Sequence, residues 1–117
     1  MRKVYYLSSC STCKRIMGEL PLEGFEKQDI KTEAMTETQI DEMKSLSGSY
    51  ESLFSRVAMK YRSMGLNNMD LTEADYRKYI LQEYTFLKRP VFIIDDTIYI
   101  GNSKKNVAAL KTALGVD

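Results

Sequence analysis

The chain has 117 residues, 44% of them apolar and 28% charged, which describes a single globular domain long enough to hold a core without disulfide or metal staples. A net charge of +1 provides no bulk field to recruit DNA, RNA or an anionic membrane. The absence of histidine removes Cys–His and Ser–His hydrolysis, HExxH metalloproteases and Cys2His2 zinc fingers, so any nucleophile must be activated by fields and hydrogen bonds.

Residues 3–7 form a short apolar run of β-formers that Ser8-Ser9 interrupts, the pattern of a buried strand. This segment lacks the apolar stretch of a signal peptide, and no run in the chain approaches a membrane span, so a cytoplasmic location is expected. Cys13, Ile16, Met17 and Leu20 then recur at helical spacing, and Pro21 closes the helix or opens the next loop. Residues 24–30 read as a second strand. Thr36-Glu37-Thr38-Gln39 is a capping box, Ile40, Met43 and Leu46 follow on one helical stripe, and Gly48 is a natural stop.

The pattern over 50–64 predicts a further helix with Leu53, Phe54, Val57 and Met64 as its apolar positions, followed by a turn over 65–69. Another helix starts near Thr72, with Glu73 and Asp75 in its first turn and Ala74, Ile80, Leu81 and Tyr84 along it. Residues 90–94 and 97–100 are apolar, β-rich runs across Asp95-Asp96, which predicts a hairpin. Gly101-Asn102 breaks it, and Val107, Leu110 and Leu114 mark a last helix closed by Gly115. The order β-α-β, helical block, β-β-α predicts an α/β protein: one thioredoxin-like domain over 1–117, with 36–86 as a helical insert within it. The seven methionines and eight tyrosines fall at spacings that suit packing.

Both cysteines lie in one motif, Cys10-Ser11-Thr12-Cys13. Two thiols need two further ligands for a tetrahedral zinc site, and a bridge across so short a separation would staple almost nothing in a secreted domain. No metal is expected. The remaining readings are inert core and redox chemistry, and a CxxC between a strand and a helix favours redox. Cys10 falls at the first turn of the helix, where free N–H groups and the positive end of the dipole favour a thiolate. Lys14 and Arg15 add positive charge. Cys13, three residues on and nearer the apolar stripe, reads as the buried resolving thiol to the nucleophile Cys10. Ser11 and Thr12 either donate to the thiolate or only cap the helix.

Leu87-Lys88-Arg89-Pro90 precedes the apolar strand, where a proline is permitted. In a thioredoxin-like fold Pro90 would be cis and opposite the CxxC, and Arg89 would aim its guanidinium at Cys10, able to hold a thiolate and a bound oxyanion together. The other reading is a solvated Lys–Arg pair at a strand end.

These residues resemble the arsenate reductase (ArsC)/Spx family of glutaredoxin-like proteins. The resemblance runs through Cys10-Ser11-Thr12-Cys13-Lys14-Arg15, Asp29-Ile30, Leu53-Phe54, Tyr61-Arg62-Ser63-Met64-Gly65-Leu66, Leu87-Lys88-Arg89-Pro90-Val91-Phe92-Ile93 and Ile100-Gly101. It implies a thiol-dependent reductase in which Cys10 attacks arsenate or another small substrate, arginines neutralise the oxyanion, and a second thiol releases arsenite. Arg89 matches the family arginine before the proline. Arg56 lies one residue out of register with a second. Ser11, Thr12, Lys14, Arg56 and Pro90 make up the implied substrate-binding set. After the final strand, where such enzymes place another arginine, this chain has Lys104 and Lys105, which lack the planar fork that grips an oxyanion.

The resemblance implies no bound cofactor, a thiol donor (thioredoxin, or glutathione with glutaredoxin) as partner, and a monomer. Its other branch implies a redox-switched regulator that binds the C-terminal domain of the RNA polymerase α-subunit. The CxxC leans toward that branch; Gly48 lies near a glycine of its interface but reads first as a helix stop, and residues 61–66 lean toward the reductases. No helix-turn-helix or basic stripe supports direct nucleic-acid binding.

Overall fold

The computed structural model describes residues 1–116. Four strands form one sheet in the order β2-β1-β3-β4: β1 (Arg2–Tyr6), β2 (Glu26–Asp29), β3 (Val91–Ile94) and β4 (Thr97–Ile100). β1 and β2 run parallel, and the pairs β1–β3 and β3–β4 are antiparallel. Among the described residues five α-helices accompany them: α1 (Ser11–Gly18), α2 (Glu37–Ser47), α3 (Met59–Ser63), α4 (Glu73–Gln82) and α5 (Lys104–Ala113). Among the described residues no helix is long and apolar enough to cross a membrane.

The chain divides into two compact units: Met1–Ala34 with the chain from Arg89 onward, and Met35–Lys88. The first unit holds the sheet with α1 and α5. Because side chains alternate along a strand, Val4 and Tyr6 of β1 share a face with Phe92 and Ile94 of β3. On that face Val4, Ile16, Leu20, Phe25, Phe92 and Leu110 form a buried cluster, and Met17, Val107 and Leu114 pack against it. The hairpin closes across Ile94 and Thr97, with Asp95 in the left-handed region (φ 55°), which aspartate tolerates better than most residues.

The second unit is helical. α2 and α4 open on the full reciprocal cap. Thr36 accepts from the Gln39 N–H (3.1 Å) while the Gln39 side chain accepts from Thr36 N–H (3.1 Å). Thr72 and Asp75 repeat the arrangement. α2 ends where Gly48 turns left-handed (φ 96°), a conformation that glycine adopts without steric cost.

The stretch 50–64 departs from the expected continuous helix. One tight turn over Glu51–Leu53 gives way to extended backbone at Phe54 (φ −85°, ψ 128°), and α3 starts only at Met59. Backbone bonds to a distant segment cause the break: Phe54 bridges Leu87, Ser55 N–H donates to Phe86 O (2.7 Å), and Lys88 N–H donates to Leu53 O (2.8 Å). Leu53 and Phe54 are buried as expected, but Val57 is 94% exposed and Met64 is exposed as well. In α4 the inward positions are Tyr76 and Ile80, while Ala74 faces solvent and Tyr84 lies beyond the helix. Phe54 centres an aromatic cluster with Tyr61, Tyr76 and Phe86, its ring stacked on Phe86 at 5.0 Å between centroids.

Candidate active site

Strand directions bring the chemistry together. β1 ends at Tyr6, and its parallel neighbour β2 ends directly opposite at Asp29. Antiparallel β3 begins at Val91 opposite Tyr5, so the residues just before β3 reach the same end of the sheet as those just after β1. The turn 7–10, the end of β2 and Arg89-Pro90 therefore converge. The Arg89–Pro90 peptide is cis. Pro90 is buried, Arg89 is half-buried, and the Pro90 carbonyl accepts from Gly101 N–H (2.9 Å).

Cys10 N–H donates to Leu7 O (3.0 Å), closing the turn that aims the chain into α1. Cys10 is the N-cap residue of α1, in extended backbone (φ −92°, ψ 112°), and no capping oxygen occupies its place. Both cysteines are free thiols; Cys10 is half-buried and Cys13 is 0% exposed. Burial pushes the Cys10 thiol up. The Cys13 N–H, the Cys13 thiol, the Thr12 N–H and the Arg89 charge outweigh it, and the thiol lies below its ordinary value. Cys13 moves the other way. Burial dominates and, with the hydrogen bond and negative charge of Cys10, pushes it up to about 11 against the pull of a Leu7 backbone hydrogen bond and Arg89. One helical turn thus holds a thiol poised to ionise and a thiol held protonated.

The remaining sequence-designated residues separate into groups. Ser11 and Lys14 are exposed at the first turn of α1, and Thr12 is half-buried there with its N–H toward Cys10. Lys104 and Lys105 are exposed in the first turn of α5, which Ser103 caps. Arg56 belongs to the helical unit, where its guanidinium donates to the Glu51 carboxylate (2.7 Å) and the Tyr76 hydroxyl (2.9 Å). Sequence reading missed the Leu7 backbone group at Cys13 and the individual N–H groups at Cys10. Backbone donors carry no side-chain signature, and only the position of Cys10 before a helix hints at them.

The fold has many solved counterparts. YffB superposes with a TM-score of 0.81 at 19% identity, over 97% of this chain and 99% of its own. An arsenate reductase (ArsC) related protein from Brucella melitensis gives 0.67 at 23% identity over 92% of each chain. The arsenate reductase from Vibrio cholerae gives 0.74 at 14% identity, over 93% of this chain and 96% of its own. Among curated proteins none matches the sequence significantly. The sequence profile of the ArsC family matches residues 5–110, nearly the whole chain. With its thioredoxin-like α/β fold, the chain belongs to the ArsC family.

Proposed function

We propose that this protein is a thiol-dependent reductase that acts on arsenate, with Cys10 as nucleophile and Cys13 as resolving thiol. The observation that carries the reading is the opposite environment of two sulfurs in one turn: Cys10 half-exposed at a helix N-terminus and favoured as thiolate, Cys13 fully buried and held protonated. Membership of the ArsC family supports thiol-based chemistry without a prosthetic group.

In the proposed reaction the Cys10 thiolate attacks As(V) and displaces an arsenate oxygen, which leaves as water after taking up protons. Arg89 balances the charge of the tetrahedral adduct, with Ser11, Thr12, Lys14 and Pro90 completing the substrate-binding set. The Cys13 sulfur then attacks the Cys10 sulfur. The S–As bond breaks, its electron pair stays on arsenic, and arsenite leaves as the Cys10–Cys13 disulfide forms; the Cys13 proton is released. Thioredoxin, or glutathione with glutaredoxin, supplies two electrons to restore both thiols.

The test is a steady-state assay of reduced protein with arsenate and each donor system, with Cys10→Ser as control. Turnover lost in the variant is expected. No turnover with either donor overturns the arsenate assignment and directs attention to a pull-down with the C-terminal domain of the RNA polymerase α-subunit. For that regulatory reading Gly48 offers weak support, since its left-handed cap of α2 already calls for glycine.

A further inference from the structure

We propose that Asp29 is a positioning residue for Cys10: its carboxylate ties the end of β2 to the turn 7–10 and so holds the nucleophile against the first N–H groups of α1. The inference rests on the reading of Cys10 as nucleophile.

Asp29 Oδ1 accepts from Ser8 N–H (3.3 Å) and from Lys31 N–H (3.2 Å), and the Ser8 hydroxyl also donates to the carboxylate. The Ser8 contact spans 21 residues of sequence, so it is a tertiary tie and not a local turn. The anchor end is rigid. Asp29 pairs with Tyr6 across β1 and β2, Ile30 N–H donates to Tyr6 O (2.9 Å), and the Asp29 carbonyl accepts from Glu33 N–H (2.8 Å). The tethered end is otherwise held by the buried Leu7 and the Cys10 N–H bond to Leu7 O. Ser8 is half-buried and Ser9 is exposed, so neither fixes the turn by apolar packing. Ser8 is the second residue of a turn whose fourth is Cys10, where Cys10 N–H meets Leu7 O (3.0 Å). Fixing Ser8 therefore fixes where the Cys10 sulfur stands relative to the N–H groups of Thr12 and Cys13. Hydrogen bonds from Ser8 and Lys31 hold the Asp29 carboxyl below its ordinary value, so the tie is charged at neutral pH.

Positioning and simple electrostatics give opposite signs. A carboxylate near a thiol disfavours the thiolate, so removing its charge alone would lower the Cys10 pKa. Losing the tie would loosen the turn and raise it. Asp29→Asn keeps an acceptor oxygen for Ser8 N–H and drops the charge; Asp29→Ala drops both. The other ionisable groups influencing these two sites, Cys13 and Arg89 at Cys10 and Lys31 at Asp29, are untouched by either change.

The experiment follows alkylation of Cys10 by iodoacetamide against pH in the full reduced chain, with the modified residue identified by mass spectrometry and folding checked by thermal unfolding. Asp29→Ala is expected to alkylate about three- to tenfold more slowly at pH 7, with its pH profile moved up, and Asp29→Asn to stay within about twofold of the parent. Asp29→Ser, one bond shorter than aspartate, takes the place of Asp29→Ala if that variant does not fold. Equal rates in the alanine variant and the parent, or faster alkylation in both variants, would overturn the positioning role while the lowered parent profile stands. An ordinary thiol profile in the parent would overturn the reading of Cys10 as nucleophile and this inference with it.

Discussion

At the N-terminus of α4, Thr72 accepts from the Asp75 N–H (3.3 Å), and at α2 Thr36 does the same for Gln39. At the N-terminus of α1 the corresponding residue is Cys10, and no oxygen fills the cap. All three helix ends present free N–H groups that need an electron-rich partner. The threonines satisfy them with a neutral oxygen, which ends the chemistry there. The larger, more acidic sulfur of Cys10 uses the same donors to favour its own anion. A cap that contributes only stability and a cap that creates reactivity differ in the atom that meets the N–H groups, oxygen in one and sulfur in the other.

Four changes probe this contrast. The largest effect is expected for Cys10→Ser, which restores a capping oxygen: reductase turnover should fall to background while the fold is retained or gains up to about 1 kcal/mol, read by urea unfolding. A clear loss of stability would show that the thiol was the better cap.

The next effect concerns Cys13. Its folded pKa lies above the ordinary 9.0, at about 11, so the folded state keeps a proton that the unfolded chain loses. This group therefore takes stability away as pH rises from about 9 toward 11. Cys10 has the opposite sign, adding stability above its ordinary value and losing it as pH falls through the lowered one. Denaturation of Cys13→Ala across the alkaline range should show a shallower decline than the parent, and equal slopes would remove the burial argument.

Arg89→Ala should move the Cys10 alkylation profile up and slow the reaction severalfold at neutral pH, because a positive charge that favours the thiolate is gone. An unchanged profile would assign Cys10's reactivity to the helix terminus and Cys13 alone. Thr72→Ala completes the contrast. It should cost about 1 kcal/mol by urea unfolding and leave the Cys10 profile untouched.

Much of this was readable in the sequence where the cause is local. The CxxC before a helical stripe, the Thr36–Gln39 box, the Gly48 stop and the two-residue hairpin at Asp95-Asp96 depend on groups within a few residues, and each appears where its pattern falls. The segment 50–64 shows the limit. Its apolar spacing suits a helix, yet Phe54 turns extended because Leu87, Phe86 and Lys88 offer its neighbourhood backbone partners that periodicity cannot register. Val57 and Met64 are exposed as a consequence.

The sequence alone determined which residues could do chemistry: two thiols three apart, no histidine, and an arginine before a proline. It also determined that one thiol heads a helix, because capping and periodicity are short-range. Only the tertiary structure decided how the two thiols differ. The antiparallel start of β3 carries Arg89 to the end of β1, the parallel β2 delivers Asp29 to Ser8, and the core closes over Cys13. Burial and charge act through space, and strand pairing sets those distances between residues that lie far apart in the chain.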